Sequence, residues 1–382
     1  ILNKNIYKVL VATFILTLCS CKSLQYYTVS FEHSSGTKES VLILEGSLIE
    51  EPDSQVSEVK IKAGWYTDAG YQWNFNDDIV FKDLQLIERQ KEAIMLCPVP
   101  YGYSSSIAFT WDDNNASHKD IADIFSAKNL KTSFFVNPGF NNFDNHVGMY
   151  KQLVESGHEV GSHSLHHPNL TELSPEGIEK ELEESKIIIT NKLGVEPKSF
   201  VHPYNSTSDS IDEIVFKYYD YARISDKSKL TNRLILNTDS TTSLSAFKQY
   251  VDSSIANAVP LLIAGHGIDG NGWGPLERGT LEAILEYAEA SGCYIDTMAS
   301  ILAYHDAYRG SRLIYRVYET EIVITIDSPN RNKAVTLCLD MSALPLKADQ
   351  AIFSKHEIKI VENKKYITLK PEDDATLVLV RR

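Results

Sequence analysis

The sequence predicts an α/β protein built on a parallel sheet or barrel, and three observations carry that reading. Between residues 106 and 307, short apolar runs alternate with helix-like segments for about 200 residues. The residues best suited to catalysis fall where these runs end, the place where barrels of this kind put their sites. The segments on either side have a different texture, with closely spaced β-like runs and turn residues.

Taken in order, residues 1–21 read as a lipoprotein-type signal peptide. Lys4 and Lys8 give a basic start, and residues 9–18 form an apolar run too short to span a bilayer comfortably. The run ends in Leu18-Cys19-Ser20-Cys21, which resembles a bacterial lipobox with Cys21 as the lipid-bearing residue. An ordinary cleaved secretory signal is the alternative. Either reading exports the protein, and the first anchors it to a membrane of the cell envelope through lipidated Cys21.

Residues 22–100 form an N-terminal β-rich region, with Val41-Leu42-Ile43-Leu44 and Val59-Lys60-Ile61-Lys62 as its clearest strands. Trp65, Tyr66, Tyr71 and Trp73 cluster around a turn at Asp68-Ala69-Gly70. Packing into a small core is favoured for them over sugar stacking. Seven strand-like runs follow, at 107–111, 132–136, 158–161, 199–202, 221–224, 260–266 and 293–296. Helix-like segments, for instance at 121–128, 175–192 and 275–289, separate most of them, and Ser174-Pro175 reads as an N-cap with proline in the first turn. Beyond residue 312 the strand-like runs are closely spaced, which predicts a C-terminal antiparallel β module over 312–382.

The 382 residues are 43% hydrophobic, enough for a sizeable core, and the formal charge is −14. That balance argues against nucleic acid as a partner. Past Cys21 only Cys97, Cys293 and Cys338 remain, so no disulfide framework holds the fold. No protein partner is implied.

Two stretches carry the chemistry. Thr110-Trp111-Asp112-Asp113 puts paired carboxylates at the end of the run Ile107-Ala108-Phe109, and His163-Ser164-Leu165-His166-His167 follows Glu159-Val160-Gly161-Ser162. A zinc-type ion takes a small set of imidazole nitrogens and carboxylate oxygens and keeps one position open for water. His163, His167 and one aspartate supply that set, and the other aspartate remains as a general base. These are the parts of metal-assisted hydrolysis.

At this point the chain resembles the polysaccharide deacetylases, the NodB-like carbohydrate esterase family 4. The resemblance lies in the Thr-x-Asp-Asp element, the segment 157–171, Pro203-Tyr204, and Leu262-Ile263-Ala264-Gly265-His266. It implies a distorted (β/α)7-type barrel over 101–309. It also implies that Asp113, His163 and His167 hold one divalent metal, Zn2+ first. Asp112 would take a proton from metal-bound water, His266 would protonate the leaving group, and the backbone N–H of Tyr204 would stabilise the oxyanion. Three positions depart from the family. Asn114 replaces a glycine, and asparagine tolerates left-handed backbone. The arginine usual before Pro-Tyr is missing, and Arg223 on the next strand is the candidate to orient Asp112 in its place. The usual partner of the catalytic histidine is absent, and Asp239 and Asp296 are candidates to orient His266. His118, His146 and His305 carry no partner pattern. His158 and His166 fit packing or exposure better than coordination, and Trp273 is a rim residue that stacks on a sugar or anchors its loop.

The activity this predicts is removal of N-acetyl groups from amino sugars of a glycan, whether peptidoglycan, chitin-like or an exported polysaccharide. The alternatives are an O-acetyl esterase on xylan-type polysaccharide and a non-catalytic glycan-binding lipoprotein on the same fold.

Overall fold

A computed structural model describes residues 24–33, 36–52, 60–67, 73–92, 94–223, 233–317, 321–328, 334–340, 350–352, 357–361, 364–369 and 376–380. The signal segment with Cys21 lies outside the described residues, as do the turn at 68–72 and Ile224. No helix among the described residues is long and apolar enough to cross a membrane.

Strands β1 (Tyr26–Glu32), β2 (Lys38–Leu44), β3 (Lys60–Thr67) and β4 (Leu84–Glu92) form a sheet in the order β2-β1-β4-β3. Alternation in β1 sends Val29 and Phe31 inward to meet Trp65, Val80 and Leu86. Trp65 is fully buried, with the rings of Phe31 and His33 set edge-on at 5.2 and 5.1 Å. Trp73 packs against the same cluster. These two aromatics are core residues.

Strand β5 (Ile94–Cys97) leads into the central unit. There β6 (Ser105–Asp112), α1 (His118–Ala127), β7 (Ser133–Val136), α2 (Asn141–Glu155), β8 (Glu159–Ser162), α3 (Pro175–Leu193), β9 (Ser199–Val201), α4 (Asp209–Tyr218) and β10 (Tyr221–Arg223) follow one another. The second half comprises β11 (Leu234–Asn237), α5 (Leu244–Asn257), β12 (Leu261–Gly265), α6 (Arg278–Ala290), β13 (Cys293–Ile295) and α7 (Met298–Gly310). Eight parallel strands lie in the path β10-β9-β8-β7-β6-β12-β11, with β13 beside the first half of β6. Among the described residues β10 and β11 do not pair, so the sheet is a curled half-barrel rather than a closed one. All seven expected strands are present. The eighth, β11, was not expected, because three apolar residues between Arg233 and Asn237 show no period.

Central strand β6 is buried along its whole length, and its two faces enter different cores. Ile107, Phe109 and Trp111 pack with Phe125, Phe134 and Phe247 towards the helices. Ala108 faces the opposite core with Phe135, Val201, Leu262 and the α7 residues Met298, Ile301 and Leu302. With a period of two, Thr110 and Asp112 point to that inner side. Helix α3 starts as expected: the Ser174 hydroxyl accepts from Gly177 N–H at 3.2 Å, with Pro175 in the first turn.

The flanking strands do not respect the sequence boundaries. The C-terminal strands β14 (Arg312–Val317), β15 (Glu321–Asp327), β16 (Val335–Asp340), β17 (Gln350–Ile352), β18 (Glu357–Val361), β19 (Lys364–Leu369) and β20 (Thr376–Val380) form two antiparallel sheets. Their orders are β14-β15-β20-β17 and β18-β19-β16-β5, so β5 completes the second sheet. The hydroxyl of Tyr304 on α7 donates to Cys97 O at 2.8 Å and accepts from Thr336 N–H at 3.1 Å, tying the module to the central unit. A chain that stops before Arg312 therefore leaves β5 without β16. It should show fast amide exchange at Ile94–Cys97 and a lower Tm than the full chain. Exchange at β5 as slow as in the full chain would contradict this. Cys97, Cys293 and Cys338 are buried.

Candidate active site and metal centre

Asp112 closes β6 on its inner face and is 3% exposed, where a lone carboxylate would be costly. Arg223, at the end of β10, meets it with a two-pronged grip. Its Nη1 donates to Asp112 Oδ1 at 3.0 Å, and its Nη2 donates to Oδ2. The same Nη1 donates to the Thr110 hydroxyl at 2.6 Å, which itself donates to Ile263 O at 2.6 Å. Burial pushes the Asp112 pKa up, but the charge of Arg223, helped by His163 and His266, outweighs it and holds Asp112 below the usual carboxylate range. Arg223 thus reaches Asp112 from the edge of the sheet, in the pairing that the sequence offered as the stand-in for the missing arginine.

Asp113 leaves the strand with φ +69°, and its carboxylate lies beside the loop after β8. That loop carries His163 and His167 and is irregular, with Ser164 at φ +65° and His167 at φ +55°. Side chains hold this unusual backbone in place. The Ser164 hydroxyl accepts from His167 N–H at 2.9 Å. The Glu181 carboxylate accepts from Leu165 N–H at 3.0 Å and from His166 N–H at 2.8 Å. Asn137 donates its amide to His163 O. Asn114 brackets Asn137 in turn, donating to its carbonyl at 2.8 Å and accepting from its N–H at 3.1 Å. Left-handed backbone therefore falls on Asp113, and Asn114 contributes its side chain instead.

Ligand-type atoms of Asp113, His163 and His167 lie within 4.8 Å of one another. The two Nε2 atoms are 3.1 Å apart and stand 4.0 and 3.9 Å from Asp113 Oδ1. His163 Nδ1 lies 2.8 Å from Val201 O, so it carries the proton and leaves a lone pair on Nε2. Burial pushes His163 down to about 4, against the pull of Asp112 and Asp113. Two imidazole nitrogens facing each other beside a carboxylate fit a divalent cation.

His266 follows β12, and its buried Nδ1 has no hydrogen-bond partner among the described residues. Neither candidate carboxylate reaches it. Asp239 accepts from Thr241 in its own turn. Asp296 accepts from the Tyr294 hydroxyl at 2.6 Å and Thr297 N–H at 2.7 Å. Strand β13 ends level with Ile107, well short of Asp112 along β6, so its last residues lie too deep in the sheet. Trp273 instead sets its ring edge-on to His266 at 5.1 Å while remaining 69% exposed. Tyr204 stands in a tight turn at φ +56°, its exposed ring 4.6 Å from that of His167.

One cavity of about 600 Å³ brings together Asp112, Asp113, His163, His167, Tyr204, Arg223 and His266, with Trp273 on its wall. It also includes residues that the motifs did not reveal, among them His202, Asn237 and Thr238. His202 is buried, with Nε2 3.2 Å from Asp212 Oδ1 and Nδ1 3.4 Å from Arg223 O. His118 is fully buried behind His266, and His158 packs against Ser126 and Thr132, outside the cavity. His166 is exposed and bonded to Glu181.

Fold and site together describe a (β/α) protein with a single candidate metal centre, among the described residues, at the carboxyl edge of its sheet, the class in which metal-assisted hydrolases fall. Within that class, residues 102–221 match the model of the polysaccharide deacetylase family. Over 109 residues the chain is 31% identical to the peptidoglycan-N-acetylglucosamine deacetylase PgdA of Listeria monocytogenes, covering 28% of this chain and 23% of that protein. It is 27% identical over 117 residues to a chitin deacetylase of Pestalotiopsis sp, covering 30% of this chain and 38% of the relative. The match thus spans well under half the length of either relative. A family 4 carbohydrate esterase from Streptomyces lividans, solved with acetate, is 20% identical with a TM-score of 0.40, covering 53% of this chain and 96% of that one.

Proposed function

We propose that the protein is a metal-dependent hydrolase that removes N-acetyl groups from amino sugars of a glycan. The observation that carries this reading is the placing of Asp113, His163 and His167 beside the Arg223-paired Asp112 and across one cavity from His266. A divalent ion held by that triad, zinc first, supplies Lewis acidity and makes water a nucleophile at neutral pH. The other steps belong to the protein. Asp112, kept ionised by Arg223, accepts the proton of the attacking water. The Tyr204 N–H, at a turn on the cavity wall, donates to the developing oxyanion. His266 gives a proton to the departing amine, which is a poor leaving group without it. Trp273 and Tyr204 present exposed aromatic surface to a sugar.

A second reading, O-acetyl ester hydrolysis on a xylan-type glycan, is favoured by one feature. Among the described residues the imidazole of His266 has no carboxylate partner, and an ester needs less acid assistance than an amide. Export and anchoring through lipidated Cys21 belong to the same proposal and rest on the sequence 18–21.

The test is a panel of peptidoglycan, N-acetylated chitooligosaccharides and acetylated xylan, with acetate and free amine both measured. Equal amounts of acetate and amine from an amino-sugar glycan are expected. Acetate from xylan alone supports the ester reading. Binding without acetate from any of them would leave the non-catalytic reading in its place.

A further inference from the structure

We propose that His118 is a positioning residue that fixes His266 through its main chain, in place of the side-chain partner that His266 lacks among the described residues. The inference deepens the deacetylase reading and rests on its assignment of His266. His118 opens α1, five residues after Asp113, and is fully buried. Its Nε2 lies 3.1 Å from His266 O and its Nδ1 3.1 Å from the Tyr150 hydroxyl. A carbonyl only accepts, so Nε2 carries the proton, and Nδ1 must accept from Tyr150 O–H. Tyr150 oxygen in turn accepts from Asn115 N–H at 3.3 Å. The chain Asn115 → Tyr150 → His118 → His266 therefore runs in one direction with every donor used.

A second strut runs parallel to it. Ile268 N–H lies 3.3 Å from the Ser117 hydroxyl, which itself donates to the Asn115 side chain at 2.9 Å. The loop that follows Asp112 and Asp113 is thereby joined to the loop that carries His266. A neutral His118 is required, and burial supplies it. It pushes the imidazole down to about 3, with His146 and His266 adding to the effect and the His266 carbonyl and Asp112 opposing it. The ring also packs on Phe134 at 4.8 Å, which limits its rotation. None of these contacts touches the His266 ring, so the ring keeps its freedom to give up a proton while its Cα is held.

The experiment compares His118→Leu, which keeps bulk and loses both polar atoms, with His118→Gln, which restores an N–H donor. On an N-acetylated chitooligosaccharide, His118→Leu should lower kcat by about tenfold to a hundredfold while KM and the zinc Kd change less than about twofold. On 4-nitrophenyl acetate, whose leaving group needs no acid, the loss should be less than about threefold. His118→Gln should recover most of the loss. In a His266→Ala background, His118→Leu should have no further effect. Equal losses on both substrates, no recovery with Gln, or additive losses would overturn the proposal.

A separate readout keeps the inference testable should no glycan be deacetylated. In the whole protein labelled with 15N-histidine, His118 should remain the neutral Nε2–H form between pH 5 and 8, and His118→Leu should shift the His266 signals. A His118 that titrates in that range, or His266 signals that do not move, would equally overturn it.

Discussion

Asp112→Asn is expected to keep its metal and to lose about 10²–10⁴-fold in kcat on an N-acetylated glycan. The amide has nearly the shape of the carboxylate but cannot accept a proton from water. Asp113 and the two histidines, the proposed ligands of the ion, are not altered. Asp113→Asn should behave differently, weakening zinc binding first, because an amide oxygen is a poorer ligand than a carboxylate. Zinc affinity by competition with a chelating dye, measured beside kcat, separates the two aspartates. Near wild-type turnover in Asp112→Asn would remove Asp112 from the role of base.

Arg223→Met has the largest expected effect on stability. Both partners of this pair are almost fully buried, so the substitution leaves a carboxylate in the core with its main counter-charge gone. Breaking a buried pair from one side costs about 3–5 kcal/mol. The sign with pH follows from Asp112, whose folded pKa lies below its ordinary value. A group depressed in this way adds stability above its unfolded pKa, and that stability is lost as pH falls through the folded pKa. In Arg223→Met burial is opposed only by the weaker pull of His163 and His266, so the Asp112 pKa rises. The stability gap from the wild type should then be widest at neutral pH and shrink below about pH 4, the ordinary aspartate value. The acid limb of the pH–rate profile should move upward as well. Urea denaturation of the metal-free proteins at both pH values checks the first point. A gap that is the same at both would mean that Asp112 does not carry the effect.

Much of the site was legible because its chemistry lies in short motifs. Asp112 and Asp113 are adjacent, and His163 and His167 are four residues apart, so a local reading picks out the residues that the fold brings together as a candidate ligand set. Arg223 was legible for a different reason. The absence of an arginine before Pro203 called for a cation nearby, and strand order supplied one on the adjacent β10. Asp239 and Asp296 show where that logic stops. Both lie near strand ends, but a sequence does not say how far up the sheet each strand ends, and β13 ends level with Ile107. His118, Asn137 and His202 were not assigned roles for one shared reason. They act on the backbone carbonyls of His266, His163 and Arg223, and a bond to a carbonyl leaves no residue-type signature. The entry of β5 into the C-terminal sheet was equally hidden, since Cys97 and Thr336 meet only through the fold.

The most direct test of the central claim is a zinc titration of metal-free protein, read as acetate released from an N-acetylated chitooligosaccharide. Release should be negligible without metal, rise in proportion to added zinc, and level off at one equivalent per chain. The same titration of His163→Ala should stay flat up to that point. Full acetate release from the metal-free protein, or a response to zinc unchanged by His163→Ala, would contradict the account.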